Sequence, residues 1–300
     1  MTAKFEYAQM KDGNTEDLIT ESEVPDGWNE IVIGSYSQIG SHYKEASEAE
    51  PGNLACNLAV DDLVAELIRK RGFSEILEIG TGDGNRLLNI RQNVGRSLHM
   101  QGTELDDALI AAAQRNSVEA IKHDMRQPLP HPEGTLDLIL YLNNAFSFVM
   151  DRNNGKQMRV EALKSAYKAL KPKGMLVLDL LSQDNEHYDR SGRVSHFERI
   201  LLIDDKPQTG PLPFWSKKFR LREVGQLLAA AGLSNCKISI KYMVRRDYNG
   251  NTTDTSRSGT IVHQPEKFEG PEVEALLAHI AERYRAGTDY RMIVTVEKPK

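Results

Sequence analysis

The 300-residue sequence predicts an α/β fold, a doubly wound, mostly parallel seven-stranded sheet within one domain. Three observations carry this expectation. Helical and strand-like patterns alternate from residue 54 onward, as they do where parallel strands are joined by crossover helices. The segment "TLDLILYLN" (135–143) is almost continuously apolar, as expected of a strand covered on both faces. The segment "LEIGTGDGNRLL" (77–88) sets Gly80, Gly82 and Gly84 at alternate positions between a strand and a helix. Ligands in such sheets bind outside the carboxyl ends of the strands, which is where this loop falls.

The elements follow in order. "NLAVDDLVAELIRKRG" places Val60, Leu63, Val64, Leu67 and Ile68 on one helical face and stops at Gly72. "SEILEIG" is a first strand and "NRLLNIRQNV" a short helix after the glycine loop. "SLHMQGTE" and "VEAIKHD" are strands around the helix "DDALIAAAQRN". A helix over "KQMRVEALKSAYKALKPKG" ends at Pro172 and Gly174, before the strand "MLVLDLLS". "RLREVGQLLAAAGL" is a helix, "CKISIKYMVRRDY" a strand, "GPEVEALLAHIAERYRAG" a helix and "DYRMIVTVEKP" the last strand. The expected organisation is an N-terminal arm and covering helix (1–53), a ligand-binding core (54–182), a lid insertion (183–218) and the end of the sheet with a helical insertion (219–300).

Composition narrows the partners. The net charge is −5, which excludes an electrostatic nucleic-acid binder as the leading expectation. The imbalance is local: residues 1–30 carry a net −6, leaving the rest near neutral. That composition predicts a solvated acidic arm. Cys56 and Cys236 are 180 positions apart and suggest neither a disulfide framework nor a metal site, so no metal is expected. The start "MTAKFEYAQMKDGN" has no apolar signal core, and no run approaches the roughly 18 residues of a membrane span. A cytoplasmic chain without membrane partners follows as an expectation, with a homodimer as the assembly considered.

The loop chemistry is selective. A dinucleotide fingerprint needs G-x-G-x-x-G, but position 85 is Asn85; the phosphate loop G-x-x-x-x-G-K-[ST] is absent too. Glu78, two residues before Gly80, would repel a pyrophosphate and favour a cationic group.

Glu78-Ile79-Gly80-Thr81-Gly82-Asp83-Gly84 resembles the first motif of the class I S-adenosylmethionine (SAM)-dependent methyltransferases, acid-x-G-x-G-x-G. Further matches follow in the family's order: "GTELDDALIAAAQ", "KHDMRQPLP", "TLDLILYLNNAFSF" and "ALKPKGMLVLDLL". The resemblance implies SAM as cofactor and S-adenosylhomocysteine (SAH) as product. It implies a cofactor site of Glu78, Gly80, Thr81, Gly82, Gly84, Glu104, Leu105, Asp124, Met125 and Asn143. Glu104 would accept from both ribose hydroxyls, a task suited to two carboxylate oxygens. Asp124 would accept from the adenine amine, with Met125 beside the ring. Asp106 reads better as a helix cap than as a ligand, and Asp137 as a local partner within its strand.

The acceptor is expected to be a small molecule methylated on nitrogen or oxygen. The residues after the fourth strand lack the proline-rich signature of nucleobase amino-methylation and any nucleophilic cysteine. "GSYSQIGSHYKEA" resembles the cofactor-covering helix of small-molecule methyltransferases, with Tyr36 and Tyr43 seven apart on one face. Tyr43 and Asn143 are the positioning candidates for the reaction, and Asn144, Phe146 and His196 the substrate-side candidates. His187, Tyr242, Arg245 and Arg246 lie on or beside the lid segments. Two alternatives stay open: a protein methyltransferase recruited through the acidic arm, and a SAM- or SAH-binding subunit without turnover. A nicotinamide dehydrogenase founders on the glycine spacing.

Overall fold

The computed structural model describes residues 5–9, 17–42, 51–95, 97–182, 193–203, 206–246, 260–263 and 289–300. The chain runs β1 (Phe5–Gln9), β2 (Asp17–Thr20), α1 (Trp28–Ile39), α2 (Pro51–Arg71), β3 (Glu75–Ile79), α3 (Asn85–Val94), β4 (His99–Glu104), α4 (Asp107–Arg115), β5 (Glu119–Lys122) and β6 (Leu136–Tyr141). It continues through α5 (Gly155–Ala169), β7 (Leu170–Leu181), β8 (Arg193–Ile203), β9 (Lys206–Pro207), β10 (Leu212–Lys217), α6 (Leu221–Ala230), β11 (Lys237–Arg246), β12 (Thr260–His263) and β13 (Asp289–Glu297).

The main sheet has the order β12-β11-β13-β7-β6-β3-β4-β5. Strands β5, β4, β3, β6 and β7 are mutually parallel; β13 inserts antiparallel beside β7, with β11 antiparallel beyond it. These are the seven expected strands. An eighth, β12, adds antiparallel to β11. Its four residues, "TIVH", do not alternate apolar with polar, so no strand pattern registers in the sequence.

Alternation along β3 splits the core into two layers. Leu77 and Ile79 pack with Ile139, Val160, Leu163, Leu227 and Leu228 on the face covered by α5 and α6. Ile76 packs with Val64, Ile68, Leu87, Ile90, Leu138 and Leu140 on the face covered by α2 and α3. Glu78 shares parity with Ile76 and so lies on the α2 side, which matters for its partners. The expected helix end at Pro172 moves forward: α5 stops at Ala169, and Leu170 already pairs with Leu136. Leu170 is buried and apolar, so the strand gains by starting there. The excess is absorbed where Lys173 takes a left-handed φ of 64° and the register shifts between Leu136 and Leu138.

A second, antiparallel sheet takes up Phe5–Gln9 and Asp17–Thr20, so these parts of the expected solvated arm are strands. β8 pairs with β1 and β10 on its two sides, and with β2 and β9. The acidic segment is also pinned by charge. Glu21 accepts from Arg159 Nη1 (2.8 Å) and Nη2 (2.9 Å), and Arg159 is 2% exposed. Gly155 lies so close to Glu21 that a Cβ there has no room. An acidic composition predicts solvation only when no buried cation waits for it.

Helix α1 joins the two sheets. Trp28, Val32 and Ile39 pack with Val194, Leu212, Phe214, Trp215 and Met150. The Tyr36 ring meets Phe214 edge-on at 5.2 Å and Phe148 at 6.0 Å. The helix ends at Gly40, whose φ of 50° and ψ of −122° break the helical path into a short 3-10 turn, Gly40–His42. Tyr43 lies outside the described residues.

Candidate active site

The glycine loop is wound over the end of β4. The Gly80 and Thr81 N–H groups both donate to Thr103 O at 2.9 Å. Gly80, Gly82 and Gly84 have φ of 70°, 58° and 76°, conformations open to glycine at little cost. A Cβ on Gly80 would stand 3.0 Å from Ala145 Cβ and 3.2 Å from Met125 Cε. Gly80 is thus where three carboxyl-end turns converge: those after β3, β5 and β6.

Two expected cofactor residues serve the loop instead. Thr81 is 5% exposed, and its hydroxyl donates to Glu78 Oε2 at 2.7 Å. Its side chain enters the space left by Gly102 on β4. A Cβ on Gly84 would meet Val118 at 3.0 Å and Ala113 at 3.2 Å, so Gly84 seats α3 closely on its neighbours.

Glu104, at the carboxyl end of β4, ties the loop to the next turn. Its Oε2 accepts from Gly82 N at 2.9 Å, and its Oε1 from Leu105 N at 2.7 Å and Asp106 N at 3.3 Å. Burial raises its pKa against those three donors. Asp106 is the helix cap the sequence suggested: Oδ1 accepts from Leu109 N at 2.9 Å. Its Oδ2 accepts from Ser37 Oγ, which docks α1 beside the Glu104 turn.

Asp124 follows β5 within a local ring of bonds. Arg126 Nε reaches both oxygens (2.9 and 3.0 Å), Nη2 reaches Oδ2 (2.7 Å), and Arg126 N donates to Oδ1 (2.9 Å). Burial pushes this carboxyl up, but Arg126 outweighs it and holds it below the usual range. An amine arriving at Asp124 would share it with Arg126. Asp137 is the local partner expected, accepting from Ser74 N and Glu75 N at 2.9 Å and pairing with Lys171.

After β6, Asn143 and Asn144 are consecutive left-handed residues, with φ of 48° and 64°. Asn143 N donates to Asp179 Oδ2 at 2.8 Å. Asn144 Oδ1 is buried without a partner among the described residues. Phe146 departs from the substrate-side expectation. It is 1% exposed, edge-on to Tyr141 at 5.3 Å and stacked on Phe219 at 5.8 Å, so its ring belongs to the core. His196 stands on β8 at the register of Asp17 and Trp215. Arg245 and Arg246 end β11, whereas His187 lies outside the described residues.

A buried polar layer on the α2 side leaves little trace in the sequence. Arg86 Nε donates to Asp61 Oδ1 (2.5 Å), and Arg86 Nη1 donates to Asn57 Oδ1 (3.0 Å). The same Asn57 oxygen accepts from Arg291 Nη1 (2.5 Å), while Arg291 forks onto Asp179 through Nε (2.7 Å) and Nη2. The available signal was a lone acid in "MLVLDLLS" and a lone arginine in "YRMIVTV". Unpaired charges are not expected in buried strands unless they meet.

Glu78 borders this layer and is 2% exposed. Burial pushes its pKa up to about 8, with Thr81 and Arg86 opposing. The folded state thus holds a proton that the unfolded chain releases near its ordinary value of 4.5. Stability from this group is fully present below that value and is lost as pH rises toward 8. Glu78→Gln removes the titration. Thermal melts should show the variant gaining on wild type from pH 5 to pH 8; parallel curves would place the proton elsewhere.

Residues 76–174 match the family model described as a methyltransferase domain. Solved structures share the fold. The CcbJ methyltransferase from Streptomyces caelestis aligns with TM-score 0.54 at 12% identity, over 88% of this chain and 98% of that one. A SAM-dependent methyltransferase from Clostridium acetobutylicum aligns at 0.51 and 10%, over 80% and 91%. DesVI of Streptomyces venezuelae aligns at 0.50 and 15%, over 81% and 92%. No curated protein matches the chain. The domain match over residues 76–174 and the shared fold mark this part of the chain as a SAM-dependent methyltransferase domain of the class I fold, with SAM as cofactor.

The residues present fit that cofactor. Gly80 leaves open a cradle that a Cβ would crowd, and Glu104 places two carboxylate oxygens beside it. Among the described residues, no helix is long and apolar enough to cross a membrane, and no cluster of three or more His, Cys, Asp or Glu could hold a metal.

Proposed function

We propose that this enzyme transfers a methyl group to a nitrogen or oxygen of a small metabolite in the cytoplasm. One observation carries the reading: helix α1 lies across the carboxyl end of the sheet. Helix α1 docks on Asp106 through Ser37, and Tyr36 ties α1 to β10 and to the turn after β6. An acceptor end partly covered by α1 admits a small molecule more readily than a folded protein. The protein-methyltransferase reading also loses its recruiting element, since β1 and β2 are paired with β8. A net charge of −5 disfavours nucleic acid.

Bound SAM would supply a methyl group activated by its sulfonium. The chain's own task is alignment and exclusion of water. Glu104 would hold the ribose hydroxyls; Asp124, shared with Arg126, and Met125 would hold the adenine. Asn143 would stand at the methyl end. The unpartnered oxygen of Asn144 would accept from the incoming amine or hydroxyl.

Calorimetric titration with SAH and with NAD tests the cofactor. SAH should bind and NAD should not; the reverse would end this reading. A metabolite-library screen with labelled SAM then identifies the acceptor. Label found only on protein would favour the protein-methyltransferase alternative.

A further inference from the structure

We infer that Asp179 and Arg291 are positioning residues that hold the Asn143–Asn144 turn in its left-handed shape at the acceptor end of the site. The inference rests on the reading above only in taking Asn143 as an acceptor-end residue.

Asparagine visits positive φ as a single residue, but two in succession are unfavourable and need support from their surroundings. Within the turn, Ala145 N donates to Leu142 O at 3.0 Å and Ser147 N to Asn144 O at 2.8 Å. From outside, Asp179 Oδ2 accepts from Asn143 N at 2.8 Å. That carboxylate cannot drift. Asp179 lies opposite Ile293 in the β7–β13 register, so Arg291 is its diagonal neighbour on the same face. Both are fully buried, and the guanidinium grips both carboxylate oxygens.

The remaining Arg291 nitrogen, Nη1, bonds Asn57, whose oxygen is shared with Arg86 in the first turn of α3. The support of the acceptor turn is therefore built into the same polar layer as the helix that follows the glycine loop. A pair serving only to join β7 to β13 would need no bond to Asn143.

Backbone hydrogen exchange on the full chain tests this. In Asp179→Asn, the Ala145 and Ser147 amides should exchange about tenfold faster, the effect of losing a charged hydrogen bond, while the interiors of β7 and β13 stay protected. Adding Asn143→Gly, which adopts positive φ without strain, should recover about fivefold of that loss. If Asp179→Asn fails to fold, Arg291→Lys carries the measurement, with the same pattern at smaller amplitude. Unchanged exchange at Ala145 and Ser147 would overturn the inference. So would a loss spread evenly over β7 and β13 that Asn143→Gly does not recover. Failure of wild-type protein to bind SAH would instead strike the functional reading and leave the exchange result standing.

Discussion

Glu104→Ala should weaken SAH binding by about 1–3 kcal/mol, the scale of lost charged hydrogen bonds. The effect has two sources. The ribose hydroxyls lose their acceptor, and the Gly82, Leu105 and Asp106 N–H groups lose theirs. Gly82 is then released from β4, so the loop becomes less well formed before any ligand arrives. Glu104→Gln keeps one acceptor oxygen and should lose less. Calorimetry with SAH on the three proteins gives the order wild type, Gln, Ala. Equal affinity for wild type and Ala would remove Glu104 from the site.

Gly102→Ala should be strongly damaging although it adds a single methyl. A Cβ there would lie 2.6 Å from Thr81 Cβ and 2.9 Å from Thr81 Oγ1. Thr81 cannot turn aside easily, because it is β-branched and its hydroxyl is bonded to buried Glu78. Overpacking of this kind costs about 3 kcal/mol. For a domain of this size that lowers the melting temperature by roughly 6–12 °C. SAH affinity should fall with it, since Thr81 sits between Gly80 and Gly82. Gly210→Ala is the control: nothing lies within 4 Å of that Cβ. Equal melting temperatures for the two variants would show that β4 yields where the packing says it cannot.

Much of the fold was legible because its signals are local. The helix over 57–71, the apolar strand over 136–141 and the alternation around β3 each follow from periodicity within a dozen residues. The glycine motif likewise declares its turn by composition. Features that depend on a distant partner are not legible in the same way. The acidic arm looked solvated because its cation, Arg159, comes 138 positions after Glu21. Phe146 looked like a substrate contact because Phe219, which stacks on it, lies in another segment.

By itself, the sequence determined the parallel α/β core, the glycine loop, the acids Glu78, Glu104 and Asp124 at strand ends, and Asp106 as a cap. Period, turn chemistry and short spacings suffice for these. Only the tertiary structure decided that Thr81 points inward over Gly102, that β1 and β2 pair with β8, and that Asp179 meets Arg291 beneath Asn143. The physical reason is the same in each case. A buried charge or a missing Cβ has meaning only beside its partner, and the partner is chosen by packing across the sheet rather than by neighbourhood in the chain.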